Sequence, residues 1–503
     1  MKFSEIPELA ALLEEGSPGV TFSGVQVDSR RVRPGDLFVA VTGRREEGCK
    51  YAGAALAKGA VAILSETPLR DFSKQVILVK DARRALACLA SALNGWPSRA
   101  LRVYGITGTN GKTTTAWLLR EILRAAGVHS GLLTTVKVEY GGREIPATRT
   151  TPDACELQSL LAAMQGAGCG SVVMEVSSHA LDQQRVACVR FAGAAFTNLS
   201  QDHLDYHGTM EAYFEAKQKL FAQLAQEKPG APAVCFRDAG YGERMAAYLA
   251  TLPLRRIICG FSQASDLRAE DIVVTPDGSR FTLAAPDGQR RALCVHLAGR
   301  YNIANMLCAA GLALEAGVPL DTVASALQEA KPRWGRLERV PAPVPATVFV
   351  DYAHTDDALT NVLGTLREMT QGRLIVVFGC GGDRDRMKRP LMGRACAALA
   401  DRLVITSDNP RGEAPLAIIG EIVKGVTEGT AYEVEPDRRA AIRRALELSA
   451  AGDIVLVAGK GHEPFQELAD RTVPFDDRQV VLEEAGKLGT SQAENGNGSS
   501  TGF

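Results

Sequence analysis

The chain has 503 residues, too many for one hydrophobic core, so two to four domains are expected. Apolar residues make up 46% and charged residues 23%, an ordinary globular balance, and a net charge of −1 leaves no electrostatic footprint for nucleic acid or an anionic membrane. No apolar run is long enough to span a bilayer, and the opening MKFSEIPELAALLEEG carries glutamates inside its apolar stretch, unlike a signal peptide.

In chain order, residues 1–97 alternate strand-like runs (GVQVDS, DLFVAV, VAILSE, QVILVK) with an Ala-rich helical stretch over residues 51–58, and end at the turn-rich NGWPSR. Residues 98–336 open with LRVYGITGTNGKTTTAWLLREILRAAG, which reads as a buried strand, a Gly/Thr loop and an amphipathic helix. SVVMEVSSHA, FAGAAFTNLS and RRIICGF read as further buried strands, and their alternation with helices predicts a mostly parallel sheet. Residues 337–486 start at the Pro-punctuated RVPAPVPATVFVDYAH. RLIVVFGC, DRLVITSDNP and GDIVLVAG then give the doubly wound α/β pattern, whose ligands sit at the carboxyl ends of strands. Small polar residues over 487–503 predict a disordered tail. The whole is a three-domain α/β protein. Its eleven cysteines form no CxxC pair and read as reduced thiols in a cytoplasm.

GITGTNGKTTT (residues 105–115) carries the strongest chemistry. Backbone N–H groups of Gly108, Thr109, Asn110 and Gly111 can converge on phosphate oxygens, Lys112 adds a compact cation, and the hydroxyls of Thr113 and Thr114 stand beside it, where one can ligate Mg²⁺. The spacing departs from G-x4-G-K-[ST]: Ile106 stands where the first glycine belongs, and Gly105 is one residue early. The loop alone implies a bound NTP. A P-loop motor or switch would also need a basic groove and a strand ending in aspartate, whereas the strand here ends VVMEV.

GTNGKTTT, MEVSSHALDQQRV, TNLSQDHLDYHGTMEAYFEAKQKLF, YNIANML, DYAHTDDAL, FGCGGDRDRMKRPLMG, TSDNPRGE and GKGHEPFQ occur in this order. Together with VDSRRVRPGDLFVAVTG near the N-terminus they resemble the Mur ligases, the ATP-dependent amide ligases of peptidoglycan precursor synthesis, over nearly the whole chain. The resemblance implies an N-terminal UDP-binding domain, a central P-loop ATPase domain and a Rossmann-like C-terminal domain. It implies transfer of the ATP γ-phosphoryl to a substrate carboxylate, then attack of an amine on the acyl phosphate. Within the family it points to the enzymes adding the third residue, here meso-diaminopimelate, to UDP-N-acetylmuramoyl-L-alanyl-D-glutamate. An L-lysine-adding member or a folylpolyglutamate synthetase is the alternative. Small-molecule substrates, ATP and Mg²⁺, a monomer, and neither nucleic acid nor membrane as partner, are the matching expectations.

By the same resemblance, Thr113 and Glu175 hold one Mg²⁺ and His203 helps hold another, although imidazole is an unusual ligand for so hard an ion. Lys217 would be carbamylated by CO₂, turning a cation into an anion. Thr150, Thr151, Ser177, Gln183 and Arg185 would hold the muramoyl-dipeptide, and Val27, Ser29, Arg44, Arg45 and Glu46 the uridine diphosphate. Asn302, Arg336, Asp351 and His354 would surround adenine and ribose, while His179 and His207 read as structural. Two positions depart from the family: Asp356 replaces the usual proline after DYAHT, and CFRDAG replaces an N-x-D-D stretch, which bears on Asp238.

SDNPRGE follows a predicted strand directly. Diaminopimelate adders carry D-N-P-R at this place, here Asp408, Asn409, Pro410 and Arg411. Diaminopimelate ends in a second amino-acid head. Its carboxylate suits a bidentate guanidinium from Arg411 supported by Arg384, and its ammonium suits Glu463 with the backbone of Gly459. Pro410 fixes φ and preorganises the turn.

Overall fold

The computed structural model describes residues 1–16, 19–43, 47–237 and 240–496. Three sheets follow one another along the chain. The first has five strands in the order Leu13–Glu15, Val76–Val79, Ala62–Ser65, Asp36–Val39, Gly24–Gln26, parallel except for the first pair. Helix Ala82–Leu93 covers it, started by Asp81, whose carboxylate accepts the Arg84 N–H, and packed through an unbroken run of buried residues from Ala85 to Ala92.

The central sheet has eleven strands. Its middle is parallel, with Arg102–Thr107 between Ser171–Glu175 and Phe191–Phe196, all nearly fully buried. This is why these segments read as continuous apolar runs. Antiparallel hairpins extend both edges: Lys137–Tyr140 with Arg143–Pro146 on one side, and Leu267–Thr275, Gly278–Ala284 and Arg290–Val295 on the other. Helices Lys112–Ala125 and Arg300–Glu315 cover one face and Met210–Glu227 the other. The third sheet has six strands, with Thr347–Asp351, Ile454–Ala458, Leu374–Phe378 and Arg402–Ile405 parallel and adjacent. Strand order departs from chain order here, so the loops after these strands gather at one edge, the usual place for a ligand in a doubly wound sheet.

Two expectations change, and one departure from the family finds its place. Cys88, in the helix Ala82–Leu93, and Cys188, in the turn between the helix Ser178–Asp182 and the strand Phe191–Phe196, form a disulfide across 100 residues, so not all eleven cysteines are reduced. Their Cα atoms lie 5.3 Å apart, a span that sequence spacing does not reveal. The last helix runs Asp477–Gly496, so the tail expected from residue 487 begins as helix, continuing one whose own Val480, Val481 and Ala485 are buried in the third unit's core. Asp356 does not disturb its loop: Thr355 caps the helix Asp356–Met369 through its hydroxyl, and Asp356 takes the first helical position, where both proline and an anion are favoured. Among the described residues no helix is long and apolar enough to cross a membrane.

Candidate functional site

The phosphate loop lies between the strand Arg102–Thr107 and the helix Lys112–Ala125, at whose N-terminus free N–H groups and the helix dipole favour an anion. Gly108 has φ 149°, and a Cβ there would lie 1.9 Å from Thr197 Oγ1, so only glycine fits. The Thr197 hydroxyl donates to the Asn110 carbonyl at 2.6 Å, and the Asn110 N–H donates to Asn198 Oδ1 at 2.9 Å. The loop is thus pinned from a neighbouring strand end.

Lys112 Nζ donates to the Thr109 and Gly108 carbonyls at 2.7 and 3.1 Å. Lys217, which is 1% exposed, donates to the same Gly108 carbonyl at 2.8 Å and lies over the Tyr213 ring. Two ammonium groups therefore share one acceptor in a buried place. Burial first, and then the charge of Lys112, push Lys217 well below the usual lysine range, and burial also lowers Lys112, against the pull of Glu175 and Asp202.

Glu175 ends its strand 1% exposed. Its Oε1 accepts from the Thr113 hydroxyl at 2.8 Å and the Thr135 N–H at 2.9 Å, and its Oε2 accepts from the Thr135 hydroxyl at 3.1 Å. Thr113 Oγ1 and Glu175 Oε1 are two hard oxygen donors side by side next to a phosphate cradle, a donor set that fits Mg²⁺. Among the described residues no cluster of three His, Cys, Asp or Glu forms a cage, so an ion here would draw its other ligands from phosphate and water. His203 sits at φ 54° with its ring nitrogen 3.4 Å from Asp202 and its ring 4.7 Å from that of His179. Desolvation pushes its imidazole down to about 4 despite Asp202, which leaves a neutral ring able to act as a ligand. His207 bonds the Ser178 hydroxyl at 3.0 Å, and His179 packs among the rings of His203, Tyr206 and His207, both in keeping with structural parts.

The predicted dipeptide residues meet around Glu175. The Thr151 hydroxyl donates to the Glu175 carbonyl at 2.9 Å and accepts the Ser177 N–H at 3.0 Å, while Arg185 donates to the Thr151 carbonyl at 2.8 Å and to Gln183 Oε1. Thr150 joins through the Thr135 hydroxyl at 3.1 Å. Val27 is exposed and Ser29 lies in a 3-10 turn of the first sheet's layer, outside this network. Arg44, Arg45, Glu46 and Asp238 lie outside the described residues.

A cleft between the central and third sheets runs from Asn110 and Gly111 past Asn302 and Arg336 to Asp351 and His354. Phe236, Phe261 and Tyr301 add aromatic walls that the motifs did not flag. The two Asp351 carboxylate oxygens accept the N–H groups of Leu337 and Ala353, so this side chain braces the linker. Asn302 donates to the Ala298 carbonyl at 2.8 Å, and the Arg336 guanidinium lies over Tyr352 and reaches Thr113 Oγ1 at 3.4 Å. Asp357, from the third unit, accepts from Asn110 Nδ2 at 2.8 Å and from the Ser200 hydroxyl at 2.6 Å, joining the phosphate loop to the opposite wall.

The loops after Leu374–Phe378, Arg402–Ile405 and Ile454–Ala458 build the second site. Arg389, 0% exposed, pairs with Glu413 at 2.7 Å and Glu421 at 2.8 Å and donates to the Gly381 carbonyl. Its pairing holds Glu413 down to about 2, and Glu413 also accepts the Asp383 N–H, so the GGDR and DNPR loops are tied together. They pack so closely that a Cβ on Gly382 would lie 1.9 Å from the Pro410 carbonyl. Arg411, at φ 50°, does not stand free as expected: its Nε meets Glu467 at 2.6 Å and its Nη1 donates to the Gly382 carbonyl. Arg384 is exposed, beside Gly381 as Arg411 is, and has no ion pair among the described residues. Opposite, Asn409 donates to Glu463 Oε2 at 2.9 Å, and Gly459, at φ 119°, passes Asp408. The Asp408 Oδ1 atom is buried without a hydrogen bond. Lys460, which the sequence did not single out, is 0% exposed among these groups.

Three family models match the chain: the Mur ligase family catalytic domain over residues 21–93, the Mur ligase middle domain over 106–313, and the Mur ligase glutamate ligase domain over 335–461. Among curated relatives, UDP-N-acetylmuramoyl-L-alanyl-D-glutamate--2,6-diaminopimelate ligase of Syntrophomonas wolfei is 43% identical over 96% of this chain and 99% of its own. The proteins of that name from Solibacter usitatus and Gloeobacter violaceus are each 44% identical, over 94% and 97% of this chain and 95% and 98% of theirs. A solved structure of a protein of that name is 34% identical, covers 97% of this chain and 99% of its own, and superposes with a TM-score of 0.70. The MurF ligase of Thermotoga maritima, solved in complex with ADP, shares the fold at 19% identity, with a TM-score of 0.60 over 95% of this chain and 99% of its own.

Proposed function

The chain belongs to the Mur ligase family, and from that premise we propose that it joins meso-2,6-diaminopimelate to UDP-N-acetylmuramoyl-L-alanyl-D-glutamate at the expense of ATP, in peptidoglycan precursor synthesis. The observation that carries this reading is the pair of sites described above. A phosphate cradle faces a dipeptide-holding network across Glu175, and a separate charged subsite built on D-N-P-R stands at the carboxyl ends of the third sheet.

The residues then divide the work. The loop 108–114 and Lys112 hold the triphosphate, while Asn302, Arg336, Asp351 and His354 wall the nucleoside. Thr113 and Glu175 would hold Mg²⁺, with His203 beside a second ion, and bound Mg²⁺ supplies charge neutralisation for the transferred phosphoryl group. Thr150, Thr151, Ser177, Gln183 and Arg185 orient the dipeptide, whose free carboxylate takes the γ-phosphoryl as ADP leaves. The amine of the added residue then attacks the acyl carbon, the C–N bond forms, and inorganic phosphate departs. Val27, Ser29, Arg44, Arg45 and Glu46 are assigned to the uridine diphosphate by resemblance.

The test is phosphate release in the presence of ATP, Mg²⁺, the UDP-muramoyl-dipeptide and meso-diaminopimelate, with each component left out in turn. Release that needs all of them, with a tripeptide product seen by mass spectrometry, is expected. Release without the nucleotide substrate, or with nucleic acid in its place, would favour an unrelated NTPase.

Lys217 is assigned the carbamate. Its amine is buried, pushed toward the neutral form that adds to CO₂, and crowded against Lys112. Adding CO₂ with loss of a proton replaces that repulsion by attraction. Lys217→Ala is expected to lower kcat about 10²-fold, with partial recovery in millimolar acetate or bicarbonate. A loss that no small carboxylate relieves would remove the assignment.

A further inference from the structure

We propose that Lys460 is a specificity-determining positioning residue of the distal amino-acid subsite. Its buried ammonium balances one of two facing carboxylates and leaves a single negative charge for the ammonium of the added residue. The inference rests on the reading above, that the added residue ends in a zwitterionic head.

Lysine side chains are seldom fully buried, and Lys460 is 0% exposed. Its Nζ lies 2.9 Å from Asn409 Oδ1, 3.3 Å from Glu463 Oε2 and 3.5 Å from Asp408 Oδ1. The same Glu463 oxygen accepts from Asn409 Nδ2, and the same Asn409 oxygen accepts the Glu467 N–H at 3.0 Å. One ammonium therefore fixes the amide and the carboxylate that face the ligand, and through Glu467 it reaches the loop end that holds Arg411.

Counting charges separates the subsite into halves. Asp408 and Glu463 against Lys460 leave one negative charge. Arg384 and Arg411 supply two guanidiniums on the other side, with Glu467 on Arg411 and Asp383 held by the Gly412 N–H at the edge of the same loops. Behind them the fully buried pair Arg438–Asp477 is neutral, and Arg438 donates to the carbonyls of Ser407 and Ala458, clamping the two strand ends together. Carboxylates thus gather on the Lys460 side and guanidiniums on the Arg384–Arg411 side, an arrangement opposite in sense to an amino-acid head. Without Lys460 the two carboxylates would face each other unbalanced, and Asn409 Oδ1 and Glu463 Oε2 would lose the donor that holds them in place.

The test compares wild type, Lys460→Met, Glu463→Gln and the double variant in steady-state phosphate release, varying meso-diaminopimelate at saturating ATP and nucleotide substrate. For Lys460→Met, the KM for diaminopimelate should rise about 30-fold or more. Its kcat and its KM for ATP should move no more than about threefold. Glu463→Gln leaves the anionic half neutral, so adding Lys460→Met to it restores one negative charge, and the double variant should bind diaminopimelate at least as well as Glu463→Gln alone. That comparison stands even if Lys460→Met alone fails to fold. An unchanged KM, a loss spread equally over kcat and every KM, or a double variant weaker than Glu463→Gln overturns the proposal. Wild type without preference for diaminopimelate would instead sink the function proposed above, and this inference with it.

Discussion

Offered meso-diaminopimelate and L-lysine at equal concentration, the enzyme is expected to use the first roughly 10³- to 10⁴-fold more efficiently in kcat/KM. The two amino acids present the same reacting end and differ only in the distal carboxylate. In the subsite that carboxylate has one open partner, Arg384, with the Arg411 guanidinium beside it already braced by Glu467 and the Gly382 carbonyl. L-Lysine would satisfy Glu463 with its ammonium but leave the positive half unanswered in a partly enclosed loop. A site built on polar pairing rejects an analogue that lacks the group far more strongly than an apolar pocket does. Arg384→Met should lower kcat/KM for diaminopimelate by about 10²-fold and leave that for lysine nearly unchanged, narrowing the preference from one side only. Competition between the two amino acids, with products resolved by mass, reads both numbers at once. Equal use of lysine by wild type would refute the assignment of the charged loops.

Lys112→Met should lower kcat/KM for ATP by about 10³-fold or more, with little change in thermal stability. The ammonium is held on the Gly108 and Thr109 carbonyls at the mouth of a helix, in a place dry enough to push it below the ordinary lysine value. The Gly108 carbonyl keeps its bond from Lys217, so the substitution leaves only the Thr109 carbonyl without its lysine donor and the fold loses little. The developing charge on the transferred phosphoryl group loses its nearest fixed cation. Lys112→Arg should recover little, since a planar fork does not fit where a point charge is wrapped by the loop. Activity measured with ADP affinity alongside checks this; retention of turnover within tenfold would mean that Arg336 or another cation carries the charge instead.

Much of this arrangement is legible in one dimension, and the reasons are physical. The strand–loop–helix over residues 102–125 announces itself because a buried parallel strand is apolar throughout and a phosphate loop needs glycine where a side chain would collide, as Gly108 does with Thr197. Resemblance brought Thr151, Ser177, Gln183 and Arg185 to one place, and they do meet around Glu175. The edge hairpins at Leu267–Thr275, Gly278–Ala284 and Arg290–Val295 were not anticipated, because half-exposed antiparallel strands mix polar and apolar residues. Lys460 and Arg389 were passed over for a different reason. A cation in a loop or at a helix start reads as solvated, and only the meeting of segments tens of residues apart buries Lys460 against Asn409 and Arg389 against Glu413 and Glu421. The Cys88–Cys188 link is invisible for the same reason, its halves being 100 residues apart. The part given to Arg411 shifted because Glu467, outside any quoted motif, takes its guanidinium.

The seam at Asp357 has a mechanical consequence. A single carboxylate oxygen from the third unit bonds both Asn110 and Ser200, so the phosphate loop and the helix Asp356–Met369 are joined directly across the cleft. Any phosphate that tugs on Asn110 also pulls on the helix Asp356–Met369, and that helix packs against the sheet whose loop ends carry the amino-acid cage. Two hydrogen bonds to one carboxylate oxygen thus give the two ends of the cleft a common mechanical support, so a load placed on the phosphate loop has a direct route to the sheet that carries the amino-acid cage.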